Sequence, residues 1–207
     1  MLKIKEEFKK LIPPLTAEEF KQLETNCLEE GIRDAIVTWN GFIIDGHNRY
    51  KIATDWSLNY KTIEKNFDSE QDVKEWMILN QFGRRNLSNY QRSVLALQLE
   101  DVFKVKAKEN QKLSDGKGIQ KSEDLKKPEI VTIKEVAKIA DVSHDTIAKV
   151  KVIEQKAAPE IKEKLSTGEI SINQAYQDIK KEEKIKERTE YIEQQKKEIA
   201  ENKLPPL

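Results

Sequence analysis

Apolar residues recur at helical spacing over most of this chain and cluster as strands in only one short region. Phe20, Leu23 and Cys27 share a face between Thr16 and Gly31. Thr16 with Glu19 three residues on forms a capping box and Gly31 a C-cap, so the pattern predicts a helix over 16–29. Residues 35–39 (AIVTW) and 42–44 (FII) are β-rich and flank Asn40-Gly41, a strong hairpin signal. Asp45-Gly46 breaks the second strand, a helix can begin over 47–54, and 60–63 predicts another short strand. Ser69 caps a helix to Leu79 with Val73, Trp76 and Met77 on one face, and Gly83 interrupts the pattern. Ser88 caps a longer helix, Asn89 to about Lys108, carrying Val94, Leu95, Leu97, Leu99, Val102 and Phe103.

Residues 110–130 lose periodicity and hold Gly116, Gly118 and Pro128, which predicts an exposed linker. From Thr132 onward the pattern is helical again. Ile172 and Ile179 are seven apart, as are Ile185, Ile192 and Ile199, but the two series are out of phase. The second seam position is mostly polar, so a solvated helix is expected rather than a coiled coil.

The run from Thr132 to Val152, TIKEVAKIADVSHDTIAKVKV, carries the chemistry. Thr132 and Glu135 form a capping box, Ala137 sits where two helices cross, and Val136, Ile139, Val142, Ile147 and Val150 supply a small core. Asp141 occupies a turn position where the left-handed conformation is needed, which Asp tolerates better than most residues. Ser143 caps the second helix. Such a helix-turn-helix places the start of its second helix in the major groove. The candidate DNA-binding residues are therefore Ser143, His144, Asp145, Thr146, Lys149 and Lys151, with Ala148 and Val152 on the same side. Lys149 and Lys151 could reach phosphate or a guanine edge.

Charge tempers this reading. Lys and Arg number 37, as do Asp and Glu, and residues 131–180 hold eight Lys against eight acids. A duplex binder with no net positive charge must concentrate its cations locally. The linker lysines Lys112, Lys117, Lys121, Lys126 and Lys127 could add phosphate contacts, or simply solubilise that segment. One cysteine, Cys27, excludes an internal disulfide and suggests a reducing compartment. The start lacks an apolar signal region and no apolar run reaches membrane-spanning length, so a cytoplasmic protein is expected, and one associated with nucleoid or plasmid if the helix-turn-helix meets DNA.

The series TIKEVAKIADVSHDTIAKVKVIE followed by APEIKEKLSTGEISINQAY resembles the DNA-binding domain of ParB-type partition proteins. The N-terminal half resembles the ParB N-terminal domain, with GIRDAI (Gly31 to Ile36) as its first box, DGHNRYKIA (Asp45 to Ala53) as its second and NQFGRRNLSNYQR (Asn80 to Arg92) as its third. Ala35 stands where the family has proline, His47 and Asn48 replace a Glu and an Arg, and Leu79 stands where an acid precedes Asn80. The related sulfiredoxin fold carries a reactive cysteine in its second box, and this chain has none near Gly46.

The resemblance implies an α+β ParB/sulfiredoxin-like N-terminal domain over 1–110 and a linker over 111–130. An all-α helix-turn-helix domain over 131–181 and a long charged C-terminal helix over 182–207 would follow. It implies CTP with Mg²⁺ as the cofactor, bound by Gly31, Gly46, His47, Asn48, Arg49, Asn80, Arg84 and Arg85. It also implies duplex DNA as a partner, a homodimer and a partner ATPase. The strand-to-helix turn at Asp45-Gly46-His47 suits a phosphate on its own account, because a helix start offers free N–H groups. Arg49, Arg84 and Arg85 could add charge-assisted contacts. The function expected is DNA binding in plasmid, phage or mobile-element partition or in transcriptional regulation, with at most weak nucleoside triphosphatase activity. The rivals are a nucleotide-dependent phosphotransferase or nucleotidase docked on DNA, and an interaction module whose charged C-terminal helix recruits a partner.

Overall fold

The computed structural model describes residues 2–84, 87–115 and 133–202, with side chains throughout except at 84, 110–115, 133 and 199–202. The expected cap at Thr132, Arg85 and the linker lysines beyond Lys112 lie outside these residues. The elements are α1 (Glu6–Lys9), α2 (Ala17–Glu30), β1 (Ile36–Trp39), β2 (Phe42–Asp45), α3 (His47–Asp55) and β3 (Thr62–Glu64). They continue with α4 (Glu70–Arg84), α5 (Asn89–Asp115), α6 (Ile133–Ala140), α7 (His144–Lys156), α8 (Pro159–Thr167) and α9 (Ile172–Asn202). The chain divides into two units, Met1–Ile147 and Ala148–Leu207, with the division inside α7.

The first unit is built on a three-stranded sheet of order β2-β1-β3, β1 antiparallel to β2 and parallel to β3. Asn40 and Gly41 both take positive φ, 48° and 77°, as a type I′ hairpin turn requires. The outer edge of β2 is covered by the N-terminal segment: Lys3 N–H bonds the Gly41 carbonyl at 3.0 Å and Ile43 N–H the Lys3 carbonyl at 2.9 Å. β3 is tied in by Ile36 N–H to the Lys61 carbonyl at 2.8 Å and by Thr38, whose hydroxyl donates to Glu64. Phe8 of α1 is fully buried with Val37, Ile44, Val73 and Met77, so the N-terminal arm belongs to the core.

Helix ends follow the sequence closely. Thr16 and Glu19 make both bonds of their capping box, at 3.2 and 2.8 Å. Ser88 and Gln91 do the same at 3.2 and 3.0 Å, and Ser69 caps α4 through Asp72 N–H at 3.2 Å. Where the sequence predicts an interruption at Gly83, α4 runs through it to Arg84. An interior glycine costs about 1 kcal/mol, less than the packing gained by burying Val73, Met77 and Ile78 on that helix. Likewise α5 extends to Asp115, into the stretch expected to be linker.

α6 packs on α5 through Val136, Ala137 and Ala140, which join Leu95, Ala96 and Leu99 in one core cluster. Ile139, expected in that core, is instead 41% exposed. At about 100° per residue it falls outside the arc shared by Val136, Ala137 and Ala140. Arg92 of α5 donates to the Ala140 carbonyl at 3.4 Å at the end of α6.

In the second unit Val150, Ile153, Leu165, Ala175 and Ile179 are buried. Gly168 closes α8 in the left-handed conformation (φ 80°), and Ser171 caps α9 through Gln174 N–H at 3.1 Å. α9 is one unbroken helix from Ile172 to Asn202. Ile185 and Ile192 on it are exposed.

Candidate functional site

Two places gather the residues that the sequence singles out. The first is a cleft of about 770 Å³ in the first unit, where the β2–α3 junction faces the loop after α2, β3 and α4. Gly46, in the left-handed conformation at φ 90°, turns the chain from β2 into α3 and leaves the first turn of that helix without a side-chain cap. A Cβ here would stand 3.1 Å from Arg49 Nη2, so the absence of a side chain lets the guanidinium fold back over the turn. Arg49 Nη2 lies 3.0 Å from Asp45 Oδ2 and 3.5 Å from the Ala35 carbonyl, and Nη1 is 3.9 Å from Asp34 Oδ2. Its Nε has no partner among the described residues.

His47 is the unusual group. It is 8% exposed, lines the cleft, and neither ring nitrogen has a partner among the described residues. Burial lowers its pKa to about 4 against the opposing pull of Asp45. The imidazole is therefore neutral near pH 7, one nitrogen donating and the other accepting.

Of the other residues implied for a nucleotide, Asn48 lines the cleft and Gly31 closes α2 near its rim without lining it. Asn80 lies on α4, its Nδ2 buried and unpaired, but outside the lining. Arg84 ends α4, and its side chain, like Arg85 altogether, is outside the described residues. The sequence reading missed Arg33, Lys61 and Gln81, all of which line the cleft. Arg33 lies within the first box and Gln81 within the third, though the resemblance implies a role for neither, and Lys61 stands just before β3, where no local motif marks it. Among the described residues no group of three His, Cys, Asp or Glu is placed to hold a metal ion.

The second place is the start of α7. Asp141 takes φ 54°, and Val142 N–H bonds the Ala137 carbonyl at 3.1 Å, a left-handed helix ending of the Schellman kind. Ser143 Oγ accepts from Thr146 N–H at 3.1 Å and pairs with the Thr146 hydroxyl at 2.8 Å. The first turn projects outward: the His144 side chain is 50% and that of Asp145 91% exposed. Ala148 and Lys151 are exposed as well, and Val152 is half-buried. Lys149 is held: its Nζ donates to Asn173 Oδ1 at 3.0 Å and lies 6.0 Å from the Tyr176 ring centroid.

No protein-family model and no curated protein matches the chain. Solved structures do. The C222₁ form of a Pnob8-like ParB N-domain matches at TM-score 0.56 with 21% identity, over 84% of this chain and 74% of that one. A second structure of the pNOB8-like ParB N-domain matches at TM-score 0.52 with 19% identity, over 84% of this chain and 69% of that one. The ParB of Caulobacter crescentus, truncated at its C-terminus and complexed to the centromeric parS site, aligns at TM-score 0.38 with 14% identity, over 80% of this chain and 74% of that one. That last alignment is too loose to show a shared fold. The first two show that this chain has a ParB N-domain-like fold, mixed α and β around a small sheet. No helix among the described residues is long and apolar enough to cross a membrane.

Proposed function

We propose that this chain is a ParB-like DNA-binding protein that reads a duplex with the N-terminal end of α7 and takes a nucleotide in the cleft at the start of α3. The observation that carries the first part is the exposed, Ser143-capped first turn of α7 after the left-handed Asp141. In this reading α6, the turn and α7 act as a helix-turn-helix. A helix enters the major groove end-first when its opening residues are small, polar and unobstructed. His144 and Thr146 then hydrogen-bond base edges, Lys151 meets phosphate or a guanine edge, and Asp145 disfavours acceptor-rich positions. The fold shared with ParB N-domains supports a role in DNA partition.

The cleft suits an anionic ligand. The free N–H groups at the start of α3, the Arg49 guanidinium and the nearby Arg33 and Lys61 favour phosphate. The neutral His47 ring can donate one hydrogen bond and accept another, as a nucleotide's sugar or base requires. The donor set does not suit a divalent cation held by the protein: the cleft carboxylates are Asp34 and Asp45, and Asp45 is engaged by Arg49. CTP is the nucleotide the ParB resemblance suggests.

The test is selection of bound duplexes from a random pool at several salt concentrations, repeated with CTP or ATP. Enrichment of a defined site, altered in occupancy by one nucleotide, supports the proposal. Failure to enrich any site at low salt sinks it.

A further inference from the structure

Equal numbers of acidic and basic side chains, 37 of each, mean that any duplex-facing surface must come from the placement of charge rather than its sum. α9 separates its charges. At about 100° per residue, Lys180, Lys181, Lys184 and Arg188 fall within one arc of the helix. Asp178, Glu182, Glu183, Glu187 and Glu190 fall outside it. The buried Ala175 and Ile179 lie on the far side, so the cationic arc faces outward. Lys181, Lys184 and Arg188 are exposed and make no ion pair among the described residues.

Polar and aromatic groups extend this arc toward the start of α9. Asn173 and Gln177 lie on it and Tyr176 borders it. Lys149 of α7 reaches the same place, bonded to Asn173 and standing over Tyr176, while Lys180 Nζ lies 5.9 Å from that ring. Lys180 is partly neutralised by Glu183 at 2.8 Å, but Lys149 has no carboxylate partner among the described residues. Two ammonium groups gathered at one ring repel each other, and an anion between them relieves that repulsion.

We propose that this face of α9, from Asn173 to Arg188 together with Lys149, is a phosphate-contacting surface for duplex DNA. It rests on the reading of α7 as the DNA-binding helix, since Lys149 belongs to both. The four cations span about 12 Å of helix rise. A duplex strand presents one phosphate per roughly 3.4 Å of its axis, so about three phosphates lie abreast of them. Asn, Gln and Tyr side chains also hydrogen-bond phosphate oxygens. Such contacts hold a duplex in register without reading its bases, so they supply the local positive charge that the net balance of the chain denies.

The test uses the full chain and two duplexes, the selected site and a scrambled one, titrated across salt by fluorescence anisotropy. The triple variant Lys181→Gln, Lys184→Gln, Arg188→Gln is compared with a control, Lys186→Gln and Lys197→Gln, whose cations lie off the arc. The triple variant should lower the slope of log affinity against log salt by about 2–3, at roughly 0.9 for each phosphate no longer neutralised. Affinity for both duplexes should fall by a similar factor, while the control keeps the wild-type slope. A charge-keeping triple variant, with Arg at 181 and 184 and Lys at 188, should restore it. Circular dichroism of each variant establishes that the helix is intact. A wild-type slope in the neutralised variant, or an equal loss in the control, overturns the surface but leaves the reading of α7 standing. Absence of duplex binding by the wild type overturns both.

Discussion

Lys149 of α7 donates to the side-chain oxygen of Asn173, 24 residues away in the first turn of α9, at 3.0 Å. This bond fixes a long flexible cation that would otherwise lose rotamer freedom on meeting a ligand. Side-chain ordering costs about 0.5–1.5 kcal/mol at an interface, so Lys149 comes to a duplex with part of that loss already incurred.

Asn173→Ala should therefore weaken affinity for the selected and the scrambled duplex alike by about fivefold, or about 1 kcal/mol, with little change in folding stability. Paired titrations on the two duplexes, alongside urea denaturation, check both halves of this expectation. Unchanged affinity for both would mean that the Lys149–Asn173 bond is only a surface contact.

His47 makes stability fall with acidity. Its folded pKa, about 4, lies below the unfolded value of 6.5, so the unfolded chain takes up the proton first. Its contribution is fully present above about pH 6.5 and is lost as pH falls toward 4. The linked change is at most about 3 kcal/mol. Urea midpoints measured from pH 7.5 to 4.5 should drop in the wild type and vary much less in His47→Asn. A parallel decline in the two proteins would place the acid sensitivity elsewhere.

Arg49→Ala removes the cation that Asp45 faces at 3.0 Å, in a pair whose side chains are 18% and 10% exposed. Breaking a pair this sheltered costs about 3 kcal/mol. Nucleotide affinity should fall in the same variant, by more than tenfold in isothermal titration under conditions where it remains folded. Arg49→Lys should keep part of the stability and little of the binding, because an ammonium cannot span Asp45 and Ala35 as a guanidinium does.

Ser143→Ala deletes the cap of α7 and should cost about 1 kcal/mol, whereas Ser143→Gly should cost only a few tenths. Chemical denaturation separates the two. Equal losses would show that the Ser143–Thr146 bonds contribute nothing beyond backbone conformation.

The sequence announces its helix ends and its hairpin because those signals are local. Thr16 with Glu19, Ser88 with Gln91, Asn40-Gly41 and Gly168 each satisfy backbone groups within a few residues of themselves. It misjudges Gly83, where the burial of Val73, Met77 and Ile78 outweighs local preference, and Ile139, which misses the buried arc of a short helix. The cleft is half legible. Gly46, His47, Asn48 and Arg49 come from one contiguous box, while Arg33 and Gln81 come from the other two boxes and Lys61 from the loop before β3. Asp45 and Arg49 stand four residues apart, a spacing that favours their pair, but nothing in the order of the residues forecasts that both nitrogens of His47 would have no partner among the described residues. The cationic arc of α9 hides for the same reason: its acids and bases alternate along the chain and part only when wound into a helix.

The most direct measurement is the affinity of the full chain for the selected duplex and a scrambled one, at about 0.1 M salt where the Debye length is roughly 10 Å. It is made with the wild type and with the double variant His144→Ala, Lys151→Ala. The account predicts that the wild type prefers the selected duplex by about 100-fold or more and that the double variant loses most of this preference while keeping salt-dependent binding, since each base contact is worth about 1–3 kcal/mol. A double variant that discriminates as well as the wild type would show that α7 does not read the duplex.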